Sequence, residues 1–193
     1  MTTPAPLILA SSSPYRARLL ERLGIPFEVV VSGIDETAAS DETADDLVRR
    51  LARTKAEHVS AQRPDAAVIG ADQVVVFGGR ILGKPGDREN AVARLRQMSG
   101  QRVDFLSGVA FVLAGRTLVD VVPTRLQLRD LDDDEIQRYV DCDRPFDCAG
   151  GMRSESQGIA LLRSLSSDDP TALIGLPLIR VADWLRRAGL AVP

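Results

Sequence analysis

Residues 7–24 read LILASSSPYRARLLERLG, and the fold turns on how that run divides. Leu7 to Ala10 is an apolar run of strand length, too short for a helix. Ser11, Ser12 and Ser13 break it, and Pro14 follows. Serine is a favoured helix cap, and proline suits the first helical position, where its missing N–H costs nothing. From Tyr15 onward Leu19, Leu20 and Leu23 recur at helical spacing until Gly24 stops the element. A buried strand, a serine-rich turn and a helix in direct succession open an α/β unit.

The same alternation continues outward. Phe27 to Val31 reads as a second strand, followed by an acidic loop containing Ile34-Asp35-Glu36-Thr37. Thr43 caps a long helix that reaches Gln62, with Leu47, Val48, Leu51, Ala52, Ala56 and Val59 as its apolar stripe. Ala66 to Ala71 is a strand ending at Asp72-Gln73. Val74 to Phe77 and Arg80 to Leu82 make a hairpin around Gly78-Gly79. A helix from Asp87 to Met98 stops at Gly100. Val103 to Leu113 and Thr117 to Leu128 are strands around Ala114-Gly115, and Asp132 to Asp141 is an acidic helix. Asp143 to Ser156 is irregular, Gly158 to Leu162 a strand, and Leu176 to Ala188 a final helix. The pattern predicts an α/β fold with a mixed sheet and one domain over residues 1–193, with Leu128 to Asp143 a candidate part of a lobe.

Composition narrows the function. The chain has 193 residues and a formal net charge of −3 with no basic block, which argues against a nucleic-acid partner. No stretch approaches the roughly 18 apolar residues of a membrane span. Met1 to Pro14 has no basic residue and only four apolar residues in a row, unlike a secretory signal, so a cytoplasmic location is expected. Cys142 and Cys148 have neither redox nor zinc-ligand spacing and read as reduced thiols. His58 is the only histidine, lies in a helical pattern and has no nucleophile motif beside it, so acid–base work falls to carboxylates. Of the 24 basic residues only Lys55 and Lys84 are lysines. A chain so rich in arginine keeps lysine either by chance or where a compact ammonium is needed.

Several residues have the chemistry of phosphate handling. The turn into the first helix offers backbone N–H groups, the hydroxyls of Ser11 and Ser13, and the guanidinium of Arg16. The plainer reading is that Ser13 only caps and Arg16 is solvated. No P-loop or dinucleotide fingerprint is present. Asp72 interrupts an apolar stretch, where a charge is costly unless paired or bound to metal. Together with Asp35 and Glu36 it supplies oxygen ligands suited to Mg²⁺ or Mn²⁺. Lys55 lies on the apolar stripe of its helix, four residues after Leu51, and so needs a negative partner. Lys84 sits in a rigid Gly83–Pro85 turn. Ammonium groups, a guanidinium, a helix start and carboxylates are the parts of metal-assisted phosphate chemistry.

The runs LILASSSPYRARLLERLGIPFEV, IDET, TKA, GADQ, GKP, CAGGMRSESQGI and IGLPL occur in one order from Leu7 to about Leu185, and in this the chain resembles the Maf family of nucleotide pyrophosphatases. The resemblance implies an α/β fold with two lobes around a central cleft, similar to the inosine triphosphatases. It also implies a divalent metal, often a homodimer, and hydrolysis between the α- and β-phosphates of a nucleotide. Asp72 matches the family's catalytic aspartate, its general base. Ser11, Arg16, Glu36, Lys55 and Lys84 match its phosphate- and metal-handling positions.

Within the family the chain looks closest to the branch acting on 7-methyl-GTP. Tyr15, Gln73 and Glu155 match three specificity positions, where that branch has an aromatic residue, Gln and Glu. The branch cleaving dTTP and UTP typically has Arg, Thr and Gln there. The chemistry agrees, because an N7-methylated guanine is cationic and favours an aromatic face. Glu155 can accept from the guanine N1–H and amino group, a donor pair that thymine and uracil lack. Tyr15 departs from the more frequent Trp, Ala17 replaces a second basic residue, and Gln157 stands where relatives often carry an apolar or aromatic residue. The alternatives are a pyrophosphatase for dTTP, UTP or other modified nucleotides, and a non-catalytic nucleotide-binding regulator of cell division.

Overall fold

The strand–turn–helix at residues 7–24 folds as read, with β1 at Leu7–Ala10 and α1 at Pro14–Glu21, in a computed structural model that describes residues 5–192. Met1 to Pro4, the start of the stretch read as lacking a secretory signal, and Pro193 lie outside the described residues. β2 (Phe27–Val29), α2 (Ala44–Gln62), β3 (Ala67–Phe77), β4 (Arg80–Leu82) and α3 (Arg88–Met98) follow. Then come β5 (Arg102–Leu113), β6 (Arg116–Leu128), α4 (Asp133–Asp143), β7 (Leu162–Ser167) and α5 (Leu178–Arg187). The strands form one seven-stranded sheet of order β2-β1-β3-β5-β6-β7, with β4 paired to β3 off that path. β1 runs parallel to β2 and β3, while β4 on β3 and β7 on β6 are antiparallel, so the sheet is mixed. Ala114 (φ 48°) and Gly115 (φ 74°) both take left-handed backbone between β5 and β6, the twist that a two-residue hairpin turn requires.

Two strands differ from the expectation. β3 does not stop at Asp72 but runs through it, pairing in parallel with β1 over Ala67–Gly70 and antiparallel with β4 over Val75–Phe77. The strand expected at Gly158–Leu162 is a 3₁₀ turn at Gln157–Leu161, and the strand follows it as β7. Gly158 is packed where a Cβ would come within 2.4 Å of the Arg153 carbonyl oxygen, which suits a tight turn rather than an extended run.

The contacts divide the chain into two compact units, Met1–Asp72 with Ser107–Val122 and Asp169–Pro193, and Gln73–Leu106 with Pro123–Asp168. In the first, alternate strand residues feed two layers. Leu7 and Leu9, Ala67 and Ile69, Val109 and Phe111 pack with Leu19 and Leu20 of α1 and Val181, Trp184 and Leu185 of α5. Ile8, Ala10, Val68, Ala110 and Val112 face the opposite way and pack with Ala52, Ala56 and Val59 of α2. α2 lies very close to the sheet. A Cβ on Gly70 would lie 2.2 Å from the Ala52 carbonyl oxygen, and one on Gly108 would lie 2.3 Å from that of Val48. Only glycine permits that approach. In the second unit Ala91, Val92, Leu95 and Met98 of α3 are buried, as are Ile136, Tyr139 and Val140 of α4. Arg88–Asp141 and Arg96–Asp133 ion pairs join the exposed sides of those helices.

Candidate active site

The close approach of α2 to β3 sets one buried side chain against another. Lys55, on the inward stripe of α2, extends its ammonium to Asp72 of β3, with Nζ 2.7 Å from Oδ1. The same Nζ is 2.8 Å from Oε1 of Glu36 in the acidic loop. The side chains of Lys55 and Asp72 are 6% and 10% exposed, whereas Glu36 is 57% exposed. The charge in the middle of β3 is therefore tolerated because an ammonium meets it, and the lysine on an apolar stripe has its negative partners.

The turn after β1 adds a guanidinium. Ser11 is buried, and its Oγ accepts from the Ser13 N–H at 3.1 Å and from Arg16 Nη1 at 3.3 Å. Arg16 Nε donates to the Gly175 carbonyl at 2.9 Å, which fixes the fork from its other edge. Ser13 caps α1 as expected, its Oγ accepting from the Arg16 N–H at 3.4 Å, which leaves the hydroxyl proton to donate. Burial pulls the Arg16 guanidinium below its ordinary value, and the charges of Asp72 and then Glu36 push it back up. Arg16, Asp72 and Glu36 thus act within one electrostatic field. Tyr15, beside Arg16, is half-buried.

The acidic loop is shaped by a residue that sequence reading missed. Arg50 of α2 grips Glu42 with two hydrogen bonds, at 2.6 and 2.7 Å, and donates to the Thr37 carbonyl at 3.1 Å. Glu42 also accepts from the Ala39 N–H at 3.2 Å, so the segment carrying Glu36 is clamped to α2. The hydrogen bonds from Arg50 hold the Glu42 carboxyl below its usual range. Nothing in the sequence distinguishes Arg50 from the many other arginines.

Of the three carboxylates offered as metal ligands, Glu36 and Asp72 meet at Lys55. Among the described residues no group of three or more His, Cys, Asp or Glu side chains is arranged to hold an ion. Asp35 spends its Oδ1 on its own loop, accepting from the Thr37 hydroxyl at 2.6 Å and the Thr37 N–H at 2.9 Å, and those bonds hold its carboxyl low. Glu36 and Asp72 remain as neighbouring oxygen donors around Lys55. That set suits a hard cation such as Mg²⁺, which is commonly bound by one or two carboxylates and completes its shell from substrate phosphates and water.

The other predicted residues belong to the second unit. Gln73 follows Asp72 on β3 and is half-buried, Lys84 is exposed between Gly83 and Pro85, and Glu155 is exposed in the turn before the 3₁₀ segment. Cys142 and Cys148 are free thiols. His58 lies on the exposed side of α2. Among the described residues no helix is long and apolar enough to cross a membrane.

A family model described as Maf-like protein matches residues 6–188. A protein of Alkalilimnicola ehrlichii named 7-methyl-GTP pyrophosphatase is 52% identical over 98% of this chain and 96% of its own length. Proteins of the same name from Nitrosococcus oceani and Pseudomonas aeruginosa are 50% and 47% identical, over 100% and 97% of this chain and 98% of each of theirs. Among solved structures the Staphylococcus aureus Ham1 protein has a TM-score of 0.44 and 16% identity, over 65% of this chain and 72% of that one.

Proposed function

The chain belongs to the Maf family, and we propose that it is a nucleoside triphosphate pyrophosphatase that hydrolyses 7-methyl-GTP to 7-methyl-GMP and diphosphate. The observation that carries the chemistry is the buried Lys55 ammonium between the carboxylates of Asp72 and Glu36. Asp72 orients a water and takes its proton as the water oxygen bonds to the α-phosphorus. The bond from that phosphorus to the bridging oxygen breaks, and diphosphate leaves in line. Lys55, Arg16 and Lys84 offset the negative charge that grows on the leaving group. Ser11 keeps the Arg16 fork aimed, and Ser13 donates its hydroxyl to a phosphate oxygen. A divalent cation such as Mg²⁺ or Mn²⁺, held by Asp72 and Glu36, would polarise the phosphates and offset their charge. In this reading Asp35 shapes the loop and is not a ligand.

Base choice rests on Tyr15, Gln73 and Glu155, with Tyr15 stacking on the cationic ring and Glu155 accepting from its N1–H and amino group. A homodimer and a cytoplasmic setting, with a free nucleotide as the substrate and no nucleic-acid or membrane partner, complete the reading. Turnover of 7-methyl-GTP, GTP, dTTP and UTP, followed as released diphosphate in Mg²⁺ and in Mn²⁺, is the test. The reading requires 7-methyl-GTP to be the best substrate. Faster turnover of dTTP or UTP would move the protein to another branch, and tight binding without turnover would make it a regulator.

A further inference from the structure

The turn that carries Glu155 is tied on both sides to the end of α4. One residue after it, the Ser156 hydroxyl donates to Oδ1 of Asp143. Two residues before it, the Arg153 N–H donates to the Tyr139 hydroxyl at 2.9 Å. The Arg153 guanidinium donates to the Asp143 carbonyl at 3.0 Å and to the Asp147 carboxylate at 2.7 Å.

Asp143 is the last residue of α4 and is 9% exposed, with its Oδ2 buried and without a hydrogen-bond partner among the described residues. An incompletely paired buried carboxylate opposes folding. Its place there calls for a role in what it holds. Burial, and then the negative charge of Asp143, drive the Tyr139 phenol far above its ordinary value, although the Arg153 N–H opposes them. The Arg153 N–H thus meets a neutral phenol oxygen at 2.9 Å. Both ends of the Glu155 turn are thus referred to two side chains one helical turn apart, Tyr139 and Asp143.

We infer that Asp143, acting through Ser156 and alongside Tyr139, is a positioning residue for base selection, fixing the direction from which Glu155 meets the guanine edge. The inference rests on the reading of Glu155 given above. It does not touch the phosphate chemistry, which is assigned to Asp72, Glu36, Lys55, Arg16 and Lys84, none of which lies in this turn.

The test is kcat/KM for 7-methyl-GTP relative to dTTP, measured at enzyme concentrations high enough to follow the slower substrate. Asp143→Ala and Ser156→Ala are each expected to lower that ratio about tenfold, through a raised KM for 7-methyl-GTP, with dTTP little changed. Asp143→Asn keeps an acceptor for the Ser156 hydroxyl and is expected to retain most of the preference. A purely structural role for Asp143 would lower both substrates by one common factor, and that result overturns the inference. If Asp143→Ala does not fold, Ser156→Ala decides alone, since Ser156 is exposed. Glu155→Gln separates the two levels. If it collapses the ratio while Ser156→Ala leaves it intact, the positioning role is wrong. If it leaves the ratio unchanged, the base reading fails and the inference falls with it.

Discussion

Removing the Asp72 carboxylate would leave Lys55 buried with only the more exposed Glu36 as partner. Breaking a buried ion pair from one side costs about 3–5 kcal/mol, and the surviving Glu36 should hold Asp72→Ala near the lower end, read from urea unfolding. Asp72→Asn should lower kcat by at least about 10²-fold while the protein remains folded, because an amide cannot take the proton from water. Wild-type turnover in that variant would end the role given to Asp72. A second prediction concerns Arg50. Arg50→Ala should loosen the segment carrying Glu36 and lower kcat/KM for every nucleotide alike, with a modest fall in the unfolding midpoint at neutral pH. The sign of the accompanying pH effect follows from Glu42. Its folded-state pKa lies below the ordinary 4.5, so the stability it contributes is complete above that value and is lost as pH falls through the depressed one. The stability difference between wild type and Arg50→Ala should therefore shrink below about pH 4.5, as acid unfolding monitored by circular dichroism would show. Residue-scale legibility was uneven for a physical reason. Lys55 could be placed on an inward stripe from spacing alone, whereas its two partners lie on other elements. Asp35 and Glu36 are adjacent and chemically alike, and only the turn closed by Thr37 tells them apart.

Elements were most legible where a side chain closes a helix start. Ser13, Thr43, Asp87 and Asp132 all accept from the backbone three residues on. Capping is local, so sequence spacing carries it completely. Strand limits were less legible. β3 continues through a charge because α2 supplies the counter-charge, and β7 reads LRSLSS, too polar to stand out as a strand. α5 shows the same limit at its start. Pro177 cannot cap it, and Thr171 and Asp169 accept from the Leu178 and Ile179 N–H groups at 2.8 and 2.7 Å. The α2–β3 contact gives the prediction at this scale. Gly70→Ala would place a methyl 2.2 Å from the Ala52 carbonyl oxygen. The helix would have to retreat, at a cost of about 1–3 kcal/mol. It would carry Lys55 with it, so activity should fall further than thermal stability alone explains. A variant with lowered midpoint and full activity would show that the Lys55–Asp72 distance is not critical.

At the scale of the whole molecule, the chain passes between the two units after Asp72, Leu106, Val122 and Asp168. With so many covalent passages, the units are expected to unfold as one. Trp184 is the only tryptophan, sits in the first unit and lies 6.4 Å from the Phe111 ring, so its fluorescence reports that unit alone. Far-ultraviolet circular dichroism reports both. Coincident denaturation curves are expected, and a fluorescence change well separated from the dichroism change would mean independent melting. The alternation of strands and helices made an α/β fold readable, but which segments share a unit depends on contacts between residues far apart in the chain, and periodicity carries no such information. The same interleaving bears on synthesis. One of the two layers covering the first unit's strands includes Val181, Trp184 and Leu185 of α5. A nascent chain emerging from the ribosome holds the strand bearing Asp72 long before the helix that shields the strand's other face. Until α5 appears, α1 is the one helix covering that face, and the greasy remainder stays exposed to chaperones and to other unfinished chains.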